Sequence, residues 1–331
     1  MPSRKRNRIV AKRREDEERA RSGLEVPKEV RRVDSANLRK DTQEDEKFGN
    51  KLSIGDKRKK STTPEEANKA PKTKEPEEIE LKASPVQVLK FLLSDAALQV
   101  CRPEDEVEDV QERGKDVVTY SQLLSPFEEL LCAVVLSRPI SHRLGLRTIR
   151  TVLSPPYAFR NPVAIKTAGS KKVLQALQDA RTQHKDKTAE EIELIADAVS
   201  NNNWHNDLGK IRKQTKGAVE SERELLRRSI KGLGKTGLDI FYRRIQWLWT
   251  EAYPFVDSRT HVALEKLGLP KRPEGIVRMI EVRWDELNFQ DDEEYNDEEK
   301  RRRAFVILLE RAVGADLEKK IDAVLGEASK L

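Results

Sequence analysis

Apolar residues recur in steps of three and four from Ser84 onward, which is the spacing that places them on one face of an α-helix. The three clearest faces comprise Phe127, Leu130, Leu131, Val134 and Val135, then Ile192, Ile195, Ala196 and Val199, and then Phe305, Leu308, Leu309 and Ala312. The same spacing predicts further helices over residues 86–93, 144–153, 173–177 and 317–325. No sustained alternation of apolar and polar residues, which would indicate a half-buried strand, occurs. We therefore expect an all-α body of about 250 residues, large enough to bury a core and to divide into two lobes.

Residues 1–80 lack this periodicity, and Phe48 is their only aromatic residue. They carry 23 Lys or Arg against 18 Asp or Glu, whereas the rest of the chain carries 41 against 40. A segment this poor in apolar side chains cannot offset its ordering entropy, so we predict a disordered charged tail. Residues 1–14 hold seven basic residues and no acidic one, which indicates a nuclear localisation signal or a loose nucleic-acid contact. A solvated tail without such a role is the alternative. We expect a nuclear protein.

Two acidic stretches, residues 103–112 and 285–299, interrupt the helical pattern. A carboxylate cluster could hold a metal ion, but residues 291–294 lack the glycine and the alternating ligands of a calcium loop, which favours a solvated surface loop. Cys101 and Cys132 are too few for a disulfide framework, a four-thiolate zinc site or an iron–sulfur cluster held by four cysteines. No apolar run is long enough for a membrane span, and the charged start lacks the apolar core of a secretory signal. We expect a soluble intracellular protein with no metal and no cofactor.

Residues 222–249 contain two predicted helices joined by a short glycine-rich turn. The first helix spans residues 222–230. The second has one apolar face, made of Leu238, Phe241, Ile245 and Leu248. Gly232 and Gly234 in the turn can take positive φ and admit another backbone, while the first amides of the second helix point outward unpaired. Lys235 adds positive charge there, so the turn is suited to a nucleic-acid phosphate. The alternative is that a glycine merely caps the first helix.

Asp257 lies 23 residues after Gly234, behind an apolar lead-in and within the segment 253–268. Asp257 or Ser258 is expected to cap a short helix that Gly268 and Pro270 terminate. Burial among the apolar residues would raise the pKa of Asp257, and the helix N-terminus would lower it. An N-cap aspartate with no catalytic role is the alternative interpretation.

Together these features resemble a known signature. The turn Ile230-Lys231-Gly232-Leu233-Gly234, followed by Val256-Asp257 at a helix start, resembles the helix-hairpin-helix and aspartate signature of the endonuclease III-like DNA glycosylase superfamily. Residues 127–137 are similar to that family's early core helix. The resemblance covers residues 84–331 and implies a two-lobed all-helical fold, a DNA-binding cleft and a target nucleotide flipped into it for removal of its base.

The resemblance assigns Asp257 as the catalytic aspartate, which would stabilise the positive charge on the sugar and orient or deprotonate the attacking water. It also implies that the turn grips DNA phosphate through Gly232, Gly234, Lys235, Thr236 and Gly237. Bifunctional members carry a lysine nucleophile where this chain has Thr236. Lys235, one residue early, is the candidate for that role, but we expect a monofunctional enzyme in which Lys235 contacts phosphate.

Other candidates for the base pocket or for wedging the strands are Arg138, Trp204 and His205. Arg138 follows Ser137, after which relatives carry a wedging glutamine. Trp204 lies in a polar loop and could stack on a base. An equally good interpretation is that Trp204 is a half-buried anchor and its neighbours are turn residues. Trp247 and Trp249 are expected to pack in the core, and His261 to pack or cap near Asp257.

We expect a monomeric DNA glycosylase of base-excision repair that acts on double-stranded DNA containing a damaged or modified base and does not bind membranes. The alternative is a helix-hairpin-helix DNA-binding protein that lacks catalysis. A third possibility is a helical scaffold that binds protein through its charged surface.

Overall fold

The computed structural model describes residues 83–289 and 294–331, which contain fifteen α-helices, two short 3₁₀ turns and no strand. The predicted disordered tail and its basic run lie outside these residues. The prediction of an all-α body is confirmed. The α-helices in chain order are α1 Pro85–Leu93, α2 Ala96–Cys101, α3 Glu104–Arg113, α4 Pro126–Leu136, α5 His142–Leu153, α6 Pro162–Asp179, α7 Lys185–Asn201, α8 Lys210–Thr215, α9 Val219–Ser229, α10 Lys235–Ile245, α11 Ser258–Lys266, α12 Pro273–Val282, α13 Trp284–Leu287, α14 Asp297–Leu317 and α15 Ile321–Ala328.

Several of these helices begin at strong sequence signals. The starts of α1 and α4 each combine a serine N-cap, a proline in the first turn and a Gln or Glu that returns a hydrogen bond to the cap. Asn296 and Glu299 form the same reciprocal arrangement at the start of α14. These caps satisfy amides that a helix start would otherwise leave unpaired, so they fix where each helix begins.

The structure departs from the sequence expectations in several places. Helix α10 ends at Ile245, so Leu248, which is predicted on its apolar face, lies beyond it and is 39% exposed. The acidic stretch 103–112 is not an interruption but helix α3, because Arg150 of α5 is buried against three of its carboxylates: Asp105, Glu106 and Asp109. The helix predicted over 317–325 is broken between α14 and α15, where Lys319 has φ of 58°. The helix predicted over 173–177 belongs to the longer α6, which is kinked at Gly169.

The buried side chains form two hydrophobic clusters. The first draws on residues between Tyr120 and Ala252 and therefore on α4 to α10. The second joins α1 and α2 to residues of α11 to α15, so the two ends of the described chain pack together. Helix α10 packs against α4 of the first cluster and also against α14 of the second. None of the helices within 83–289 and 294–331 combines the length and the apolar character that crossing a membrane requires.

Candidate functional site

The predicted two-glycine turn joins α9 to α10. Gly232 has φ of 90°, and a Cβ atom there would lie 2.8 Å from Glu191 Oε1, so the position requires glycine for two reasons. Gly234, which could take positive φ, instead has φ of −88°, and its hypothetical Cβ atom would meet open space. Gly234 is the N-cap of α10, and no side chain caps that end. The first amides of α10 therefore have the unpaired character that suits an anion.

Arg138, two residues after the end of α4, holds this turn in place. Its guanidinium donates to the carbonyl of Gly232 at 3.2 Å and to Glu191 Oε1 at 2.7 Å. Arg138 is thus already occupied inside the protein, and it would have to leave both partners before it could wedge into DNA. Its wedging role stays a prediction.

Lys235 lies on the surface at the start of α10. Its side chain is 82% exposed, and Nζ contacts Asp239 Oδ2 at 2.7 Å, one turn further along the helix. Thr236 is exposed, whereas Gly237 is buried and packs against Leu233. The exposed members of this group can meet a phosphate, and Lys235 contacts Asp239 rather than Asp257.

Asp257 caps α11, as the sequence predicts, and its carboxylate is 7% exposed. Oδ1 accepts hydrogen bonds from the amides of Arg259 and Thr260 at 2.8 and 3.1 Å. Oδ2 accepts from the Thr260 hydroxyl at 3.0 Å and from Arg243 Nη1 at 2.8 Å. Four donors therefore fix the plane of this carboxylate. The helix ends as expected, with Gly268 at φ of 69°.

The balance of effects on Asp257 keeps it ionised. Burial by itself raises the pKa of the carboxyl group, and this is the largest single influence. The charge of Arg243, together with hydrogen bonds from Arg243 and Thr260, outweighs burial and holds the pKa below its ordinary value of 3.8. The sequence prediction named only the helix N-terminus as the lowering influence, and Arg243 was missed.

Arg243 lies on α10 and is 4% exposed. Besides donating to Asp257, it leaves its Nε atom buried without a hydrogen-bond partner among the described residues. The sequence signal that could have identified it is the pair Arg243-Arg244, two charges in the second helix of the hairpin beside the apolar residues Phe241 and Ile245. Charged residues on a helix that packs on both sides must find buried partners.

A cavity of about 330 Å³ opens beside this pair, near the lower end of the roughly 300–1,000 Å³ range of ligand pockets. Its walls come from both hydrophobic clusters, with Ile240 on one side and Val313 and Leu317 on the other. Arg243 and Arg259, which both bond to Asp257, line it as well. Asp257 is not among the lining residues and meets the cavity through these two neighbours.

Most of the remaining predicted residues lie elsewhere. Trp204 is 1% exposed in the first cluster and donates to Gln214 at 3.2 Å, which favours its packing role over base stacking. His205 is exposed and does not line the cavity. Trp249 is buried in the first cluster, and His261 joins α11 through a backbone hydrogen bond to Asp257. The cavity does contain His142, whose Nδ1 lies 2.8 Å from Glu318 Oε1.

Within the described ranges, no three His, Cys, Asp or Glu side chains are grouped so that they could hold a metal ion. The site thus consists of an ionised, buried aspartate, the arginine that binds it and a cavity beside them, at the far end of the helix that begins at the two-glycine turn. Comparison with known proteins gives no matching family model, no matching curated protein and no matching solved structure.

Proposed function

We propose that the protein is a monofunctional DNA glycosylase of the helix-hairpin-helix type, which hydrolyses the N-glycosidic bond of a flipped damaged or modified base. The observation that carries the proposal is Asp257, a buried carboxylate kept ionised at a helix start beside a cavity between two hydrophobic clusters. In this proposal the two clusters are the two lobes, and α9, the turn and α10 are the hairpin.

Helix α10 connects the two parts of the proposed site. A DNA phosphate would bind the free amides at its start, where Lys235 supplies positive charge. Eight residues later, Arg243 binds Asp257. At 1.5 Å per residue, the phosphate and the arginine are about 12 Å apart along one rigid helix. The position of the gripped phosphate therefore sets the position of the sugar relative to the carboxylate.

The proposed chemistry follows from charge. When the bond between the sugar C1′ and the nucleobase breaks, the nucleobase departs with the bonding electrons and positive charge is left on the sugar. Water then adds at C1′, and its proton passes to a proton acceptor such as the Asp257 carboxylate. At roughly 4 Å and an effective dielectric near 20, a carboxylate stabilises such a cation by about 4 kcal/mol. That energy corresponds to nearly three decades of rate. The four donors around Asp257 hold it ionised and oriented for this task.

The test is a panel of duplexes, each with one damaged or modified base, scored for abasic sites as strand breaks after alkali. We expect one or more substrates for the wild-type chain and a rate about three decades lower for Asp257→Asn, with duplex affinity retained. Asp197→Asn, the same change at an exposed ion pair, is the matched control and should leave the rate unchanged. No product from any substrate, or equal rates for wild type and Asp257→Asn, would contradict the proposal. Strand breaks that form without alkali, together with a covalent protein–DNA adduct formed in the presence of borohydride, both abolished in Lys235→Gln, would contradict the monofunctional assignment.

A second candidate is a DNA-binding protein without catalysis, and one observation favours it. Both oxygens of Asp257 are already occupied by four donors, one of them a buried guanidinium, and the carboxylate does not line the cavity. In that case Arg243 and Asp257 form a structural pair. Salt-dependent duplex binding with no product from any substrate would support this candidate.

Gly234→Ala separates both DNA-binding candidates from a protein-binding scaffold. The added methyl group meets nothing within the protein, so folding should be unaffected, but it would stand where a phosphate approaches the α10 amides. We expect weaker duplex binding, with Gly326→Ala, also facing open space, as the control. Unchanged affinity for Gly234→Ala would favour the scaffold. The remaining parts of the proposal, a nuclear location based on residues 1–14 and a monomeric state, are tested by imaging of the tagged chain and by sedimentation.

A further inference from the structure

Three polar side chains meet at the cavity, and two of them hold a buried atom without a hydrogen-bond partner among the described residues. The Tyr120 hydroxyl and Arg243 Nε are buried without a well-formed hydrogen bond among the described residues, although the two side chains interact with each other. Glu310, on α14, makes no hydrogen bond and no ion pair with the described residues, but its oxygens are not wholly buried, and the residue as a whole is 8% exposed. All three residues line the one cavity. Unpaired buried polar groups are costly, so their convergence indicates a polar ligand that pairs with them.

Glu310 supplies the carboxylate among the three. It acts electrostatically on two cations, Arg244 and Arg311, but both are bonded elsewhere. Arg244 binds Glu129, and Arg311 donates to the carbonyls of Leu92 and Ser94. Glu310 thus has positive charge nearby but no direct ion pair among the described residues, which leaves its oxygens able to accept from a ligand in the cavity.

The chemistry of these groups specifies the ligand that would satisfy them. An ionised carboxylate only accepts, and its two oxygens can bind two neighbouring N–H groups at once. Arg243 Nε only donates, and a tyrosine hydroxyl can donate as well. The complementary ligand therefore presents two adjacent N–H donors with a hydrogen-bond acceptor beside them. The apolar residues Ile240, Val313 and Leu317 suit the faces of a flat ring, and the volume suits a single heterocycle.

We propose that Glu310 and Arg243 select a target base with a guanine-type edge, an inference that rests on the proposed glycosylase function. The ring N–H and the 2-amino group of such a base would donate to Glu310, and its carbonyl would accept from Arg243 or Tyr120. A uracil-type edge has a single N–H group between two carbonyls, and an adenine-type edge has a ring acceptor beside its amino group. Either would set an acceptor against one oxygen of Glu310, which leaves that oxygen unpaired.

The test measures binding of small bases to the full chain by ligand-observed NMR and therefore does not depend on catalysis or on DNA. The probes are 9-methylguanine and 9-methylhypoxanthine, which differ only in the 2-amino group. We expect wild type to bind 9-methylguanine roughly tenfold to a hundredfold more tightly, as a charge-assisted hydrogen bond implies. Glu310→Gln should remove most of that preference, because the amide supplies only one acceptor. Glu327→Gln, on the exposed side of α15, is the matched control and should keep the preference.

Two additional measurements keep the result interpretable. Glu310→Gln keeps the size and shape of the side chain and breaks no hydrogen bond among the described residues, so its thermal unfolding temperature should be close to that of wild type. Tyr120→Phe should weaken both probes to a similar degree, since the hydroxyl faces the carbonyl that they share. Equal affinity of wild type for the two probes, an unchanged preference in Glu310→Gln, or no binding of either probe would overturn the assignment of the edge. Abasic-site formation with no such preference overturns this assignment alone, and a preference with no abasic-site formation overturns the proposed enzyme alone.

Discussion

Two adjacent arginines of α10 form two different buried ion pairs. Arg244 is fully buried, binds Glu129 of α4 at 3.0 Å and lies 4.5 Å over the ring of Tyr120. Arg243 binds Asp257 at 2.8 Å. Each arginine leaves one nitrogen without a hydrogen-bond partner among the described residues, but only Arg243 lines the cavity.

The difference arises from helix geometry. Neighbouring residues of an α-helix point about 100° apart, so Arg244 is directed at α4 and Arg243 at the start of α11. The first pair joins two helices within one hydrophobic cluster, and the second joins α10 to the helix whose start carries the candidate catalytic carboxylate. Two arginines next to each other on α10 thus have different roles: Arg244 stabilises the packing of two helices, and Arg243 belongs to the candidate site.

The largest expected effect is on the Arg244–Glu129 pair, which does not line the cavity. Arg244→Met leaves Glu129 buried without its counter-charge, and we expect the free energy of unfolding to fall by about 3–5 kcal/mol in urea denaturation. The double variant Arg244→Met with Glu129→Leu should recover part of that loss, because neither charge then remains. A loss in Arg244→Met within experimental error would show that this pair does not hold α10 to α4.

Arg243→Met should cost less stability, about 1–3 kcal/mol, measured in the same way. Asp257 keeps its two amide donors and the Thr260 hydroxyl when Arg243 is removed, so the carboxylate stays partly satisfied. Equal losses in Arg243→Met and Arg244→Met would remove the distinction between the two pairs.

The smallest expected effect is on the pH dependence of the unfolding free energy. The folded-state pKa of Asp257 lies below 3.8, so the ionised carboxylate contributes stability that is fully present above about pH 3.8 and is lost as the pH falls through the folded value. The difference in unfolding free energy between wild type and Asp257→Asn should be constant between about pH 5 and 8 and should shrink below pH 3.8. A difference that grows on acidification would contradict this sign.

The sequence was informative where the signals are local. The apolar spacing predicts the helices, and Asp257 followed by a helix ending at Gly268 predicts the N-cap. The acidic stretch of α3 was misassigned because its stabilising partner, Arg150, lies more than 40 positions away. Glu310 meets Tyr120 and Arg243 because α14 packs against α10, and no spacing in the chain encodes that encounter.

Arg138 anchors the two-glycine turn to the helices beneath it. Surface turns commonly open in local fluctuations long before the molecule unfolds. Here the guanidinium just after the end of α4 ties the carbonyl of Gly232, and the same helix is fastened to α10 through Glu129. The turn is therefore held to α4 through the Gly232 carbonyl before any partner arrives, while the unpaired amides at the start of α10 remain open to solvent and to a ligand.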